Sequence, residues 1–156
     1  MKPEKSRLAL ILAMSLLTVM QQTWAGETTE VQVRASVIAN CKILGVQDIN
    51  FGALDPGQAV NINAEGFVSF ACTRGVDFRM SADRGENYEA SSGVRRMKGT
   101  TDEFLPYRID KNVYSGVGSG FTHPTSFRVQ ASVNAADYQD LPADNYRDTL
   151  RITLEP

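Results

Sequence analysis

Two cysteines, Cys41 and Cys72, and a single histidine, His123, are the side chains of this sequence best suited to metal binding or nucleophilic chemistry. They are too few and too scattered for either. A structural zinc site takes four Cys or His ligands. His123 stands before Pro124 in a Gly- and Thr-rich loop, and general-base catalysis there needs a partnered Ser, Cys or carboxylate that no motif supplies. Gly116-Val117-Gly118-Ser119-Gly120 has the glycines of a phosphate cradle but no following helix to receive the anion, so it reads as a flexible loop. Asp83, Glu86, Asp102 and Glu103 lack the ordered spacing of a calcium loop and read as solvated turns. Arg95-Arg96 and Lys98 suit an edge strand guarded against aggregation better than a site for acidic ligands. The chain therefore reads as non-catalytic, with no cofactor and no metal.

The remaining role for the cysteines is a bond to each other, and the start of the chain supports it. Lys2, Lys5 and Arg7 precede an apolar stretch from Leu8 to Val19, and Thr23-Trp24-Ala25 has the small-x-small form of a cleavage site. Residues 1–25 are expected to be a secretory signal, the apolar run being shorter than the roughly 18 to 20 residues of a membrane span. No span is expected in the mature chain. An even cysteine count in an exported chain favours a Cys41–Cys72 disulfide. Removal of Lys2, Lys5, Arg7 and Glu4 leaves 13 basic against 17 acidic residues, a balance that offers nothing to nucleic acid.

The 131 residues that follow suit one domain. Alternating runs recur at Val31 to Ala39, Phe67 to Cys72, Val76 to Ala82, Phe104 to Asp110, Phe127 to Val133 and Tyr146 to Leu154, with weaker ones at Ile49 to Phe51, Val60 to Ile62 and Val94 to Met97. Turn chemistry separates them, as at Asp55-Pro56-Gly57 and Thr73-Arg74-Gly75, and no window carries a capped helical period. The expected fold is all-β, with antiparallel sheets packed as a sandwich.

Two runs carry more information than the rest. In Val31 to Val37, Val31, Val33, Ala35 and Val37 share one face while Glu30, Gln32, Arg34 and Ser36 share the other, so the segment needs an apolar groove to fill. In the last run, Tyr146, Leu150, Ile152 and Leu154 share a face in a strand expected to continue almost to Pro156. A sandwich of this kind usually places a further strand beyond it. The first run is either the domain's own first strand or a plug for a neighbouring copy.

The order of the segments resembles the spore coat protein U family, the subunits of archaic (Csu-type) chaperone-usher pili. The resemblance is carried by the alternating strand leading to Cys41, then Ile49-Asn50-Phe51-Gly52 and Gly66-Phe67-Val68-Ser69-Phe70-Ala71-Cys72-Thr73. It continues through Asp77 to Gly85, Arg96-Met97, Leu105-Pro106-Tyr107-Arg108-Ile109 and Asn145-Tyr146-Arg147-Asp148-Thr149-Leu150. It implies an incomplete immunoglobulin-like β-sandwich lacking its last strand. A periplasmic pilus chaperone would lend a strand, and an outer-membrane usher would exchange it for the N-terminal segment of another pilin subunit. On this basis residues 26–38 are the donor segment, with Val31, Val33, Ala35 and Val37 pointing inward, and residues 39–156 the domain. Phe51, Phe70, Phe78, Leu150, Ile152 and Leu154 are expected to line the acceptor groove. The product is a fimbrium at the cell surface, for adhesion or biofilm formation. The alternatives are a self-complete secreted sandwich that binds a ligand, or a spore-coat component.

Overall fold

Period-two alternation interrupted by Gly, Asp and Asn turns gives strands joined by loops, with no crossover helices. The computed structural model describes residues 26–156; the expected signal, residues 1–25 including Trp24, lies outside the described residues. The chain divides into two units, Met1–Ala35 and Ser36–Pro156. In the first, residues 26–35 form no strand, and Val31 and Val33 are 81% and 92% exposed.

The second unit holds β1 (Cys41–Gln47), β2 (Ile62–Cys72), β3 (Asp77–Ala82), β4 (Arg95–Lys98), β5 (Phe104–Ile109), β6 (Val113–Val117), β7 (Thr125–Val133) and β8 (Ile152–Glu155). A 3-10 turn at Ala135–Asp137 is the only helical element among the described residues. All pairings are antiparallel. One sheet runs β1-β2-β7-β5-β4 and the other β6-β3-β8. The order β1-β2-β7-β5 is that of strands A, B, E and D in an immunoglobulin-like sandwich, and β3-β8 that of C and F. Strand G would lie beside F, and among the described residues no strand pairs with that side of β8.

The core follows from the alternation. Val68 and Phe70 of β2, Phe78 and Met80 of β3, and Phe127 and Val129 of β7 meet between the sheets, with Ile152 and Leu154 of β8 packed against them. Aromatic contacts run through it, Phe70 edge-on to Phe78 at 4.8 Å and Tyr114 stacked on Phe127 at 4.9 Å. A second cluster joins Leu105, Tyr107, Val133 and Tyr138. Gly66 permits the close crossing of the chain after β1, since a Cβ there would lie 2.7 Å from the Ile49 side chain and 2.8 Å from the Gln47 carbonyl.

Several sequence expectations are corrected. Val31 to Ala39 is not a strand; the first strand is β1, which begins at Cys41. Its alternation is obscured by a register shift between Ile43 and Gly45, a bulge that changes which face each residue meets. The expected strand Tyr146 to Leu154 is regular only over Ile152–Glu155, because β3 ends at Ala82 and a loop takes its place beside residues 147–151. Part of the expected loop from Gly116 to Gly120 belongs to β6, which pairs with β3 from Asp77↔Val117 to Ser81↔Val113. Phe67 to Cys72 is the second half of an 11-residue strand, β2, to which the run at Val60 to Ile62 contributes only Ile62, and Ile49 to Phe51 is irregular.

Candidate strand-acceptor cleft

Between the edge of the larger sheet at β1 and the segment leading into β8, the second unit leaves a cleft of about 490 Å³. Val68 and Val129 lie at its floor, Val46 and Ile49 on one wall, and Leu150 and Ile152 on the other. A neighbouring hollow of about 510 Å³ shares Ile49, Phe51, Met97 and Tyr146 and continues beneath Leu54 and Leu141. The lining is mostly apolar, and β1 adds exposed Ile43, Leu44 and Val46 at the same edge. Edges of this kind invite another strand.

The β8 wall is ordered by period two even where it is not regular strand. Tyr146, Asp148, Leu150, Ile152 and Leu154 are half-buried, while Arg147, Thr149, Arg151 and Thr153 are exposed. The backbone groups alternate as well. Arg147 exchanges N–H and C=O with Lys98 at 3.0 and 2.8 Å, Glu86 N–H donates to Thr149 C=O at 3.2 Å, and Asp83 N–H donates to Arg151 C=O at 3.0 Å. These bonds all use one edge of the segment. Among the described residues, the backbone N–H and C=O of Asp148 and Leu150 make no hydrogen bond, and they face the other edge.

Asp148 is the one carboxylate within the apolar stripe. Its Oδ1 accepts from the Asn87 backbone N–H and from Asn87 Nδ2, each at 3.0 Å, and its Oδ2 accepts from the Tyr107 hydroxyl at 2.5 Å. Burial first, then the hydrogen bond and charge of Asp148, raise the Tyr107 hydroxyl far above the usual tyrosine range, so it stays a proton donor. Gly85, at φ +86°, makes room: a Cβ there would sit 2.1 Å from Asp148 Oδ2.

The structure distributes the sequence-nominated residues unevenly. Phe51, Leu150 and Ile152 line the cleft. Leu154 is half-buried against the main core, whereas Phe70 and Phe78 are sealed within it at 1% and 5% exposure. Val31, Val33, Ala35 and Val37 are all exposed and in no strand. Cys41 and Cys72 are joined in a disulfide, at directly opposed positions of β1 and β2. Sequence reasoning passed over Val46, Ile49 and Asp148. Asp148 was within reach, because it has the same parity as Tyr146 and Leu150.

Elsewhere, several charged side chains have partners, though among the described residues the buried Arg95 Nε has none. Arg95 Nη2 donates to the Asp83 carbonyl at 2.8 Å, Arg96 pairs with Glu89 at 2.6 Å and lies over Phe104, and Lys98 pairs with Asp102 at 2.6 Å. His123 is exposed, its Nδ1 3.0 Å from Thr122 Oγ1. Among the described residues, no three His, Cys, Asp or Glu side chains converge as a metal site, and no helix is long and apolar enough to cross a membrane.

The profile of the Spore Coat Protein U domain matches residues 27–153. The chain belongs to this family. No curated protein matches it. Among solved structures, it is similar to a chain in the crystal structure of the CsuC-CsuE chaperone-tip adhesion subunit pre-assembly complex from archaic chaperone-usher Csu pili of Acinetobacter baumannii. The identity is 25% and the TM-score 0.49, over 76% of this chain and 40% of that one. In this spore coat protein U domain the match begins at Glu27, and so takes in the exposed alternating segment as well as the sandwich.

Proposed function

We propose that this protein is a structural, non-catalytic subunit of a cell-surface fibre, exported through the periplasm and joined to its neighbours by strand donation. The carrying observation is the bare edge of β8 beside a half-buried apolar stripe. It coexists with an exposed segment, Val31 to Val37, whose alternation suits such a cleft. Inserted into another copy, that segment takes the position of strand G, with Val31, Val33, Ala35 and Val37 against Val68, Val129, Leu150 and Ile152. This is strand addition at a sheet edge: backbone bonds supply affinity and alternate side chains supply specificity.

The magnitudes are sufficient. Seven extended residues reach about 23 Å, the scale of one sandwich edge. Burial of three valines contributes about 1.5 to 3 kcal/mol each, with less from Ala35, before any backbone pairing and against the entropy of association. Because donor and acceptor are different surfaces, each junction is head-to-tail, and repetition gives an open filament. A free subunit leaves the cleft exposed, so a periplasmic chaperone is its occupant before assembly, and an outer-membrane usher is the site of exchange.

The test uses the mature chain purified with its co-expressed chaperone and a synthetic peptide of residues 26–40. The expected result is peptide uptake with release of chaperone, and aggregation of the chain when neither is present. A chain that stays a stable monomer alone and takes up no peptide would instead be a self-complete secreted domain.

A further inference from the structure

We infer that Asp148 is a positioning residue that fixes the register of the acceptor edge, an inference resting on the cleft's role as strand acceptor. The segment 147–151 lies beyond the end of β3 and has no ladder of its own on that side. Loop residues 83–87 substitute for one. Asp83 and Glu86 bond the backbone of Arg151 and Thr149, Arg151 N–H donates to Asp83 Oδ1 at 3.0 Å, and Arg151 Nη2 reaches Glu86 at 3.0 Å.

The backbone bonds do not by themselves select a register, and the Arg151–Glu86 pair is exposed and contributes little to it. Tyr146, Leu150, Ile152 and Leu154 are all apolar and of one parity, and a slip of two residues would keep every side chain on its present face. Asp148 is the exception in that series. A carboxylate among apolar neighbours is costly unless its hydrogen bonds are made, and only one register brings it to Asn87 N–H, Asn87 Nδ2 and Tyr107 OH together. Gly85 leaves the space that this carboxylate occupies. With the inner edge pinned in this way, the unpaired N–H and C=O groups of Asp148 and Leu150 are held in line with those of β8 as a template for the incoming strand.

The pin acts as one strand leaves the cleft and the next enters; once a donor strand is in place, its own ladder holds the segment. Asp148→Ala and Asp148→Asn are therefore compared in the mature chain bound to chaperone, with labelled peptide 26–40 as the probe. Asp148→Ala should slow peptide uptake by about tenfold or more, the equivalent of losing a hydrogen bond to a charged group. Its peptide-filled product should protect the backbone amides at residues 148–154 as the wild type does, because the donor ladder then holds the segment. Asp148→Asn, which keeps an acceptor for Asn87, should recover most of the rate. If Asp148→Ala does not accumulate, Tyr107→Phe removes one of the three bonds and carries the same expectation in smaller degree. Uptake at the wild-type rate by every variant, or lost protection at residues 148–154 in the peptide-filled Asp148→Ala chain, overturns the inference. Failure of the wild-type chain to take up peptide overturns the acceptor reading itself.

Discussion

Val33→Asp and Arg34→Asp introduce the same charge at adjacent positions of the donor segment, and period two requires that they behave differently. Val33 is 92% exposed in the free chain, and the proposed insertion would remove nearly all of that exposure. Full burial of a valine stabilises by about 1.5 to 3 kcal/mol, or about 10- to 150-fold in affinity. Val33→Ala removes about two methyl equivalents, close to 1.6 kcal/mol and roughly fifteenfold. Val33→Asp goes further, because it places an unpaired carboxylate over Val68, Val129 and Ile152, at an effective cost of several kcal/mol. Arg34 lies on the outward face, where substitutions fall within about 0.5 kcal/mol, less than threefold. Competition of variant peptides 26–40 for the acceptor measures the affinities, and native electrophoresis of polymers from full-length variants measures assembly. The expected order is wild type close to Arg34→Asp, then Val33→Ala, with Val33→Asp inactive. Equal effects at positions 33 and 34, or polymers of normal length from Val33→Asp, would refute the assignment of the inward face.

Removing the Cys41–Cys72 bond by paired Ser substitution should cost about 3 to 4 kcal/mol for a loop of 31 residues, read as a lower denaturant midpoint of the peptide-filled chain. Met80→Ala, at a position 1% exposed between the sheets, should cost about 2 to 5 kcal/mol in the same assay. Because the folded state raises the Tyr107 hydroxyl above its unfolded value, its contribution is complete below about pH 10 and is lost as pH rises beyond it, at no more than about 1.4 kcal/mol per pH unit. Tyr107→Phe should flatten that alkaline limb, and a tyrosinate absorbance titration should leave one tyrosine untitrated until the chain unfolds.

Most strands could be placed from alternation alone, because β2, β3, β5 and β7 put one face into the core and the other toward solvent. The exceptions have physical causes. The bulge in β1 spoils its parity, and its side chains are mostly exposed, so burial leaves little mark on its sequence. In β6, Ser115 and Gly116 read as turn residues, yet Gly116 lies against the Phe78 ring, where a Cβ would come within 3.0 Å of it. The best alternation in the chain, Val31 to Val37, forms no strand, since the pattern records a face that needs cover and not where the cover is. The cleft was legible through Phe51, Leu150 and Ile152. Phe70 and Phe78 were grouped with them by type, but they lie on strands flanked on both sides within their sheets and are sealed in the core. A search for apolar residues passed over Asp148 by its nature.

The β4 edge shows that the exposure found at β8 and β1 is not general to the sheets. Beside β4, Lys98 bridges to Arg147, and the cations of Arg96 and Lys98 stand over Phe104 with partners in Glu89 and Asp102. Charge and cover of this kind are how sheets avoid edge-to-edge pairing. Toward β8 the same chain does the reverse. The exposed charges of the segment, Arg147, Arg151 and Glu155, share odd parity; Arg147 stands at the rim of the cleft, and Arg151 and Glu155 do not line it. A domain whose edges were open through mere instability would show no such contrast. Protection at one edge and, at another, a held apolar face whose single carboxylate is bonded by Asn87 and Tyr107 favour one kind of pairing over the rest, and a fibre needs that restriction: the same exposure that permits each junction would otherwise permit any.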